Sequence, residues 1–247
     1  MAAQYDSIAD QYDMTFQLIP ARQHVEAFSV FQLLGNVKGL SMLDAACGTG
    51  AYTRELRRRG ASRVLGVDVS PEMIKVACSI EEQEPLGVEY AVHDVAAMDV
   101  VGVFDAALAI YMIHYAPTQA ALLNMCQGIV QNITSGARFI AYHLNPDMPT
   151  IPGYYQQYGL SLRLPETISD GSELSFSVTA GDFTSPEFTI YYWSKPTIKS
   201  ALEEVGFTDV RWVMPTVSEQ GINQYGSEYW QTYLAAPHCI LLECRKV

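Results

Sequence analysis

The run Leu43-Asp44-Ala45-Ala46-Cys47-Gly48-Thr49-Gly50-Ala51 passes from an apolar strand through two glycines into a helical pattern. That junction restricts the chain to folds in which a buried strand feeds a helix across its end. Without a β-carbon, Gly48 and Gly50 let the backbone bend tightly and let a ligand lie against it, and the following helix offers unpaired N–H groups. Such a turn is a seat for a nucleotide-like ligand.

Apolar runs and helical patterns alternate from Leu40 to Tyr142, which predicts a parallel sheet covered by helices. Strands are expected over Ser41–Ala46, Arg63–Val67, Gly87–Val92, Val103–Ile110 and Gly136–His143, with helices at Tyr52–Arg59, from Ser70-Pro71-Glu72 onward, and at Thr118–Asn132. Ser70 supplies a cap, Pro71 a first-turn proline and Glu72 an acid at the positive helix end. After Asn145 the rhythm breaks at Pro146, Pro149, Pro152 and Gly153, and short alternating segments such as Glu173–Thr179 and Glu187–Tyr192 predict an antiparallel insertion at about 145–195. A helix at Pro196–Val205 and strands at Phe207–Met214 and His238–Arg245 close the chain. The segment between these two strands is only weakly helical, so they are expected to close the sheet in antiparallel fashion. The whole chain, 1–247, reads as a single domain with a modest insertion.

Composition narrows the partners. Fifteen basic against twenty-seven acidic residues give a formal charge of −12, which opposes attraction to a phosphate backbone, so no nucleic-acid partner is expected. The basic cluster Arg57-Arg58-Arg59 falls where a helix carboxyl end favours cations. No window approaches a membrane span and no basic-then-apolar leader is seen at the amino terminus, so the expectation is a soluble, cytoplasmic protein with no membrane partner. Five cysteines, Cys47, Cys78, Cys126, Cys239 and Cys244, form no C-x-x-C pair, and no metal is expected.

The glycine turn lacks the third glycine of a dinucleotide site, since Arg54-Glu55 stand there, and lacks the lysine of a P-loop. Asp44 instead puts a carboxylate where a pyrophosphate reader would avoid one, so the ligand should lack phosphate. Asp68 ends the second strand, the place of a carboxylate that accepts ribose hydroxyls, and Asp94 follows the third, where it can accept an adenine amino group. Each acid alone is also a common solvated strand end; three at successive strand ends form a set.

That ordered set resembles the class I S-adenosylmethionine-dependent methyltransferases of small molecules: Asp44-x-Ala46-x-Gly48-x-Gly50, then Asp68, His93-Asp94, Phe104-Asp105, Gly136-Ala137-Arg138-Phe139, and Ala201 to Phe207 with the closing strand. The resemblance implies a Rossmann-like α/β fold with a seven-stranded, mostly parallel sheet, helices on both faces and an antiparallel substrate-binding insertion. It implies S-adenosylmethionine as cofactor and S-adenosylhomocysteine as product. Asp44 and the turn, with Gly48 and Gly50, would hold the methionine end; Asp68 and Val69 would lie at the ribose; Asp94, Val95 and Ala96 at the adenine; Ile110 and Tyr111 beside the cofactor. Ala46 stands where many members have glycine. The opening Tyr5-Asp6-Ser7-Ile8-Ala9-Asp10-Gln11-Tyr12-Asp13 looks like the segment, here about 1–35, that closes over the cofactor through Tyr5 or Tyr12, although a helix cap is an equal reading. More loosely, this block with Val37-Lys38-Gly39-Leu40 and Met125-Cys126 is similar to toxoflavin synthase-like methyltransferases, which methylate a nitrogen-rich bicyclic ring.

Methyl transfer from a sulfonium demands alignment and desolvation more than a base, and a base only where the acceptor holds its proton. His143 is the first candidate base or substrate anchor and His114 the second, both near strand ends. Tyr115, Asn145, Tyr158, Tyr192, Trp193 and Trp230 are candidate substrate contacts, and the density of aromatic side chains suits a flat aromatic or heteroaromatic metabolite methylated on nitrogen or oxygen. An NAD-dependent oxidoreductase and a non-catalytic cofactor-binding protein of the same fold are the alternatives. A monomer or a homodimer fits equally.

Overall fold

The computed structural model describes residues 4–9, 12, 16 and 18–247. Asp10, Gln11 and Asp13 of the amino-terminal motif, and the other members of 1–35 not named here, lie outside the described residues.

Among the described residues eleven strands form two sheets. The large sheet has seven strands in the order β10-β11-β5-β4-β1-β2-β3, built from β1 (Ser41–Ala45), β2 (Arg63–Asp68), β3 (Glu89–Val92), β4 (Phe104–Ile110), β5 (Ile133–Leu144), β10 (Phe207–Val213) and β11 (Cys239–Lys246). The pairs β1–β2, β1–β4, β2–β3 and β4–β5 are parallel, whereas β11 is antiparallel to both β5 and β10. This is the expected Rossmann-like sheet, and the antiparallel closure is present. The segment between β10 and β11 is more ordered than its weak pattern predicted. It folds as α7 (Glu219–Tyr225) and α8 (Ser227–Ala235), because Ser218 caps Gly221 N–H at 3.1 Å and the Trp230 indole donates to Gly221 C=O at 2.9 Å.

The remaining helices are α1 (Phe28–Leu34), α2 (Ala51–Arg58), α3 (Pro71–Gln83), α4 (Gln119–Val130), α5 (Tyr154–Gln157) and α6 (Lys195–Glu204). Their starts are chemically specified: Ser70 accepts from Met73 N–H and Thr118 from Ala121 N–H, both at 3.1 Å. A π-helical turn, Arg22–Ala27, leads into α1.

Side chains alternate across the strands and divide the core in two. On one face Ala107, Ala109, Phe139 and Ala141 pack under α4 and α6; on the other Leu108, Ile110, Ile140 and Tyr142 pack with α1 and α2. Burying each Leu or Ile side chain contributes about 1.5–3 kcal/mol, so both faces are needed to hold the sheet. Gly128 of α4 rests on the Val95 carbonyl so closely that an added Cβ would come within 2.1 Å of that oxygen.

The insertion forms a small antiparallel sheet of β6 (Leu160–Arg163), β7 (Glu173–Ala180), β8 (Phe183–Thr184) and β9 (Phe188–Tyr191), with β7 pairing all three others. Packed with α5 and α8, it roofs the carboxyl end of the large sheet. No helix among the described residues is long and apolar enough to cross a membrane. The five cysteines are free thiols.

Candidate cofactor and substrate cavities

Two cavities meet above the carboxyl ends of the parallel strands, where ligands bind in open α/β sheets. The first, of about 890 Å³, is lined by Ala46, Gly48, Asp68, Val69, Asp94, Val95, Ile110, Tyr111 and Tyr115, with Tyr5 and Tyr12 across the mouth. All but three of the residues expected at the cofactor thus stand together. The exceptions are Ala96, which does not line the cavity, and Asp44 and Gly50, which sit behind the turn. Asp44 is buried, accepts a 2.6 Å bond from Thr53 Oγ1, and is pushed up to about 7 by burial. Gly50, at φ +80°, opens α2 against Tyr90, whose hydroxyl would lie 2.2 Å from an added Cβ.

Asp68 is the best-prepared polar group of this cavity. Its two oxygens accept Gly48 N–H at 2.8 Å and Ser70 N–H at 2.9 Å, tying the glycine turn to the end of β2. Burial raises its pKa, and these amides work in the other direction. Asp94 accepts Ala96 N–H at 2.9 Å, so its carboxylate caps the turn that carries Val95. Ala46 lies at φ +60° and Tyr111 at φ +61°, left-handed positions that side chains seldom occupy and that cluster at working sites.

The second cavity, of about 910 Å³, lies under the roof sheet. It shares Tyr5, Tyr12 and Tyr111 with the first, so these three rings form the wall between them. Tyr5 bridges the parts: its ring stacks on Phe188 at 4.4 Å, and its hydroxyl bonds the Tyr115 hydroxyl. The other lining is mainly apolar, including Ile19, Leu162, Phe176, Val178 and Ile190. Among the described lining residues the charged side chains are Arg22 and Glu26 alone, paired at 3.4 Å. Burial works against the Arg22 charge, but Glu26 and the surrounding phenols leave its pKa raised. Burial also raises Tyr12, Tyr111 and Tyr142, which remain neutral phenols.

Of the two candidate histidines, His114 lines this second cavity and His143 does not. His143 is on the opposite face of β5, its ring 5.4 Å from that of Trp212, and its Nε2 is buried without a partner. Burial drops His143 to about 4 and His114 to about 3. His114 Nδ1 accepts Leu144 N–H at 3.4 Å, which leaves the ring hydrogen on Nε2. The candidate substrate residues also divide. Tyr115 borders the cofactor-side cavity, while Tyr192 and Trp193 line a separate pocket of about 200 Å³ beside His143. Asn145, Tyr158 and Trp230 are buried, and their side chains donate to the carbonyls of Pro237, Tyr229 and Gly221. Arg22, Glu26, Tyr142, Phe176, Phe188 and His238 were not expected from sequence. The one local sign was the opposite charge of Arg22 and Glu26 at i, i+4.

Residues 42–132 match the family model described as a methyltransferase domain. A demethylmenaquinone methyltransferase of Lactococcus lactis subsp. lactis is 27% identical over 161 residues, covering 63% of this chain and 62% of that protein. A ubiquinone biosynthesis O-methyltransferase of Xanthomonas axonopodis pv. citri is 30% identical over 95 residues, 38% of this chain and 39% of that one. The chain therefore spans less than two thirds of the length of these curated relatives. Among solved structures, an S-adenosylmethionine-dependent methyltransferase from Mesorhizobium loti superposes with a TM-score of 0.64 at 19% identity, covering 90% of this chain and 97% of that one. The fold is that of the S-adenosylmethionine-dependent methyltransferases.

Proposed function

We propose that this protein is a methyltransferase that moves a methyl group from S-adenosylmethionine to a nitrogen of a small, flat, uncharged heteroaromatic molecule. The observation that carries this reading is the pair of cavities that share Tyr5, Tyr12 and Tyr111, one tipped by the carboxylates of Asp68 and Asp94, the other without them and lined mainly by apolar side chains. S-adenosylmethionine is the cofactor and S-adenosylhomocysteine the product, and the cofactor supplies an electrophilic methyl on a sulfonium.

The residues fit that group. Asp68, with capacity left on a carboxylate of about four acceptor sites, would take the ribose hydroxyls. Asp94 and Val95 would flank the adenine, Gly48 and Ala46 would bring bare backbone to the methionine portion, and Ile110, Val69 and Tyr111 would close the sides. Tyr12 and Tyr5 would cover the mouth. Neutral phenol and aromatic faces around the wall favour a cation there without quenching it.

On the acceptor side the lining argues for a neutral ring. Arg22 and Glu26 cancel each other, and burial keeps His114 uncharged. With its hydrogen on Nε2, His114 offers a donor that would anchor a ring nitrogen or carbonyl oxygen. Glu26 is already engaged by Arg22, Tyr52 and Tyr111. An acceptor that takes the methyl without first losing a proton suits this lining, and this favours a ring nitrogen over a hydroxyl oxygen. The enclosure aligns the two reactants and excludes water. The relatives' names refer to demethylmenaquinone and ubiquinone biosynthesis, which agrees with a flat ring as acceptor.

Calorimetric titration with S-adenosylmethionine, S-adenosylhomocysteine and NADH tests the cofactor. Incubation with methyl-labelled cofactor and a panel of neutral nitrogen heteroaromatics and hydroxylated quinols tests the acceptor. Label on a ring nitrogen is expected. Tighter binding of NADH, or label only on quinol oxygen or ring carbon, would overturn the respective part.

A further inference from the structure

Glu26 is fully buried on the π-helical turn, at the wall of the mainly apolar second cavity. A carboxylate is costly there unless its acceptor positions are filled. Here they are filled from three elements. Tyr52 of α2 donates to Oε1 at 2.9 Å, Arg22 of the same turn reaches Oε1 at 3.4 Å, and the Tyr111 hydroxyl, from the tip of β4, donates to Oε2.

Tyr111 is the partner that matters to the site. It stands in both cavities, its φ is +61°, and its own N–H is held by Tyr142 C=O at 2.8 Å. A side-chain-bearing residue keeps such a backbone only where its surroundings over-determine it. The Tyr142 carbonyl fixes the backbone and Glu26 fixes the far end of the ring, so the ring is pinned at both ends. The neighbouring wall ring, Tyr12, is drawn into the same group, since Arg22 donates to its hydroxyl at 3.3 Å and lies 4.9 Å from its ring centre.

We propose that Glu26 is a positioning residue of the transfer site. Through its bond to the Tyr111 hydroxyl it sets where the wall between the two cavities stands, and thereby the shape of the cofactor cavity. This rests on the cofactor reading above, and goes beyond it by assigning a role at the cofactor cavity to a residue that does not line that cavity.

The test uses S-adenosylhomocysteine as probe, on the full chain, with the variants Glu26→Gln, Tyr111→Phe and their combination. Glu26→Gln and Tyr111→Phe should each weaken binding roughly tenfold, and the combination should be no more than about twofold worse than either, because both cut one bond. A spectroscopic signature accompanies it. The ultraviolet difference between the protein and its Tyr111→Phe variant isolates the Tyr111 absorption, which is shifted to the red while the phenol donates to a carboxylate; that shift should vanish when the same difference is taken in Glu26→Gln. Since Glu26→Gln leaves the Arg22 charge without its carboxylate, it risks unfolding; the paired Arg22→Gln with Glu26→Gln removes both charges, and the Tyr111→Phe comparison is then made in that background. Additive losses, unchanged affinity, or a red shift that survives the loss of Glu26 would overturn the positioning role alone. Failure of the unmodified protein to bind either S-adenosylmethionine or its product would overturn the cofactor reading, and this inference with it.

Discussion

Asp68→Ala separates a carboxylate that reads a ligand from one that only ties a turn. In the free protein each oxygen already accepts one backbone N–H, from Gly48 and from Ser70. The substitution therefore has a stability cost whatever the ligand: two amides lose an acceptor at a half-buried site, about 1–2 kcal/mol each at most, with water recovering part of it. If the remaining acceptor capacity receives the ribose hydroxyls, two further bonds to a charged group disappear on binding. Taken at roughly 1–1.5 kcal/mol apiece, they amount to about 2–3 kcal/mol, or an affinity loss of roughly 30- to 150-fold. Calorimetric titration with S-adenosylhomocysteine, well below the melting temperature of both proteins, measures the second quantity without the first. Chemical denaturation of the free proteins measures the first alone. A variant destabilised by the expected amount but binding within threefold of the original would refute the ribose-reading role and leave Asp68 as a turn tie.

Gly128→Ala would drive a methyl into the Val95 carbonyl and shift the turn carrying Val95, which lines the first cavity; a loss of roughly 2–4 kcal/mol in denaturation and weaker S-adenosylhomocysteine binding are expected. His114→Gln keeps a donor near the cavity, so turnover on a nitrogen acceptor should fall less than about tenfold with cofactor affinity unchanged; a loss above about a thousandfold would mark His114 as a base instead. Acid should destabilise the fold from about pH 6.5 downward. His114, His143 and His238 sit at about 3, 4 and 3 in the folded chain, so the unfolded chain binds protons first and stability falls through that window. Asp44, raised to about 7, acts oppositely, favouring the fold below the ordinary carboxylate range and losing that contribution as pH rises toward 7. Three histidines outweigh it between pH 6.5 and 5, and urea midpoints that rose on acidification across that interval would contradict the assignment.

The sheet and the cofactor side were legible because they depend on local order along the chain. A strand that ends in an acid or a glycine turn places that residue at the carboxyl edge once neighbouring strands are parallel, which is how Asp68, Asp94 and Gly48 come together. Asp44 shows the limit of that rule, since the same strand end carries it one step too early, under Thr53. The acceptor side depends on facing and on distant contacts. Tyr142 and His143 are adjacent in sequence and point to opposite faces of β5, and the sequence alone does not say which of the two meets the cavity. Trp230 and Tyr158 looked like pocket aromatics but pack together with Tyr154 and Tyr233 in a cluster of their own, because the roof sheet is small and needs its own apolar support. Arg22 and Glu26 escaped notice since a charged pair one turn apart ordinarily marks a solvated helix face.

The reversed direction of β11 has a practical outcome. The strand starts at Cys239, among the residues bordering the second cavity, and travels away from it until Val247, exposed and bonded to Gly206 C=O at 3.0 Å. A tether fused after Val247 would therefore depart from the underside of the molecule, letting the protein be immobilised with both mouths facing the liquid. Gln4 and Tyr5 instead line the first cavity, so a label placed at either would sit beside its wall.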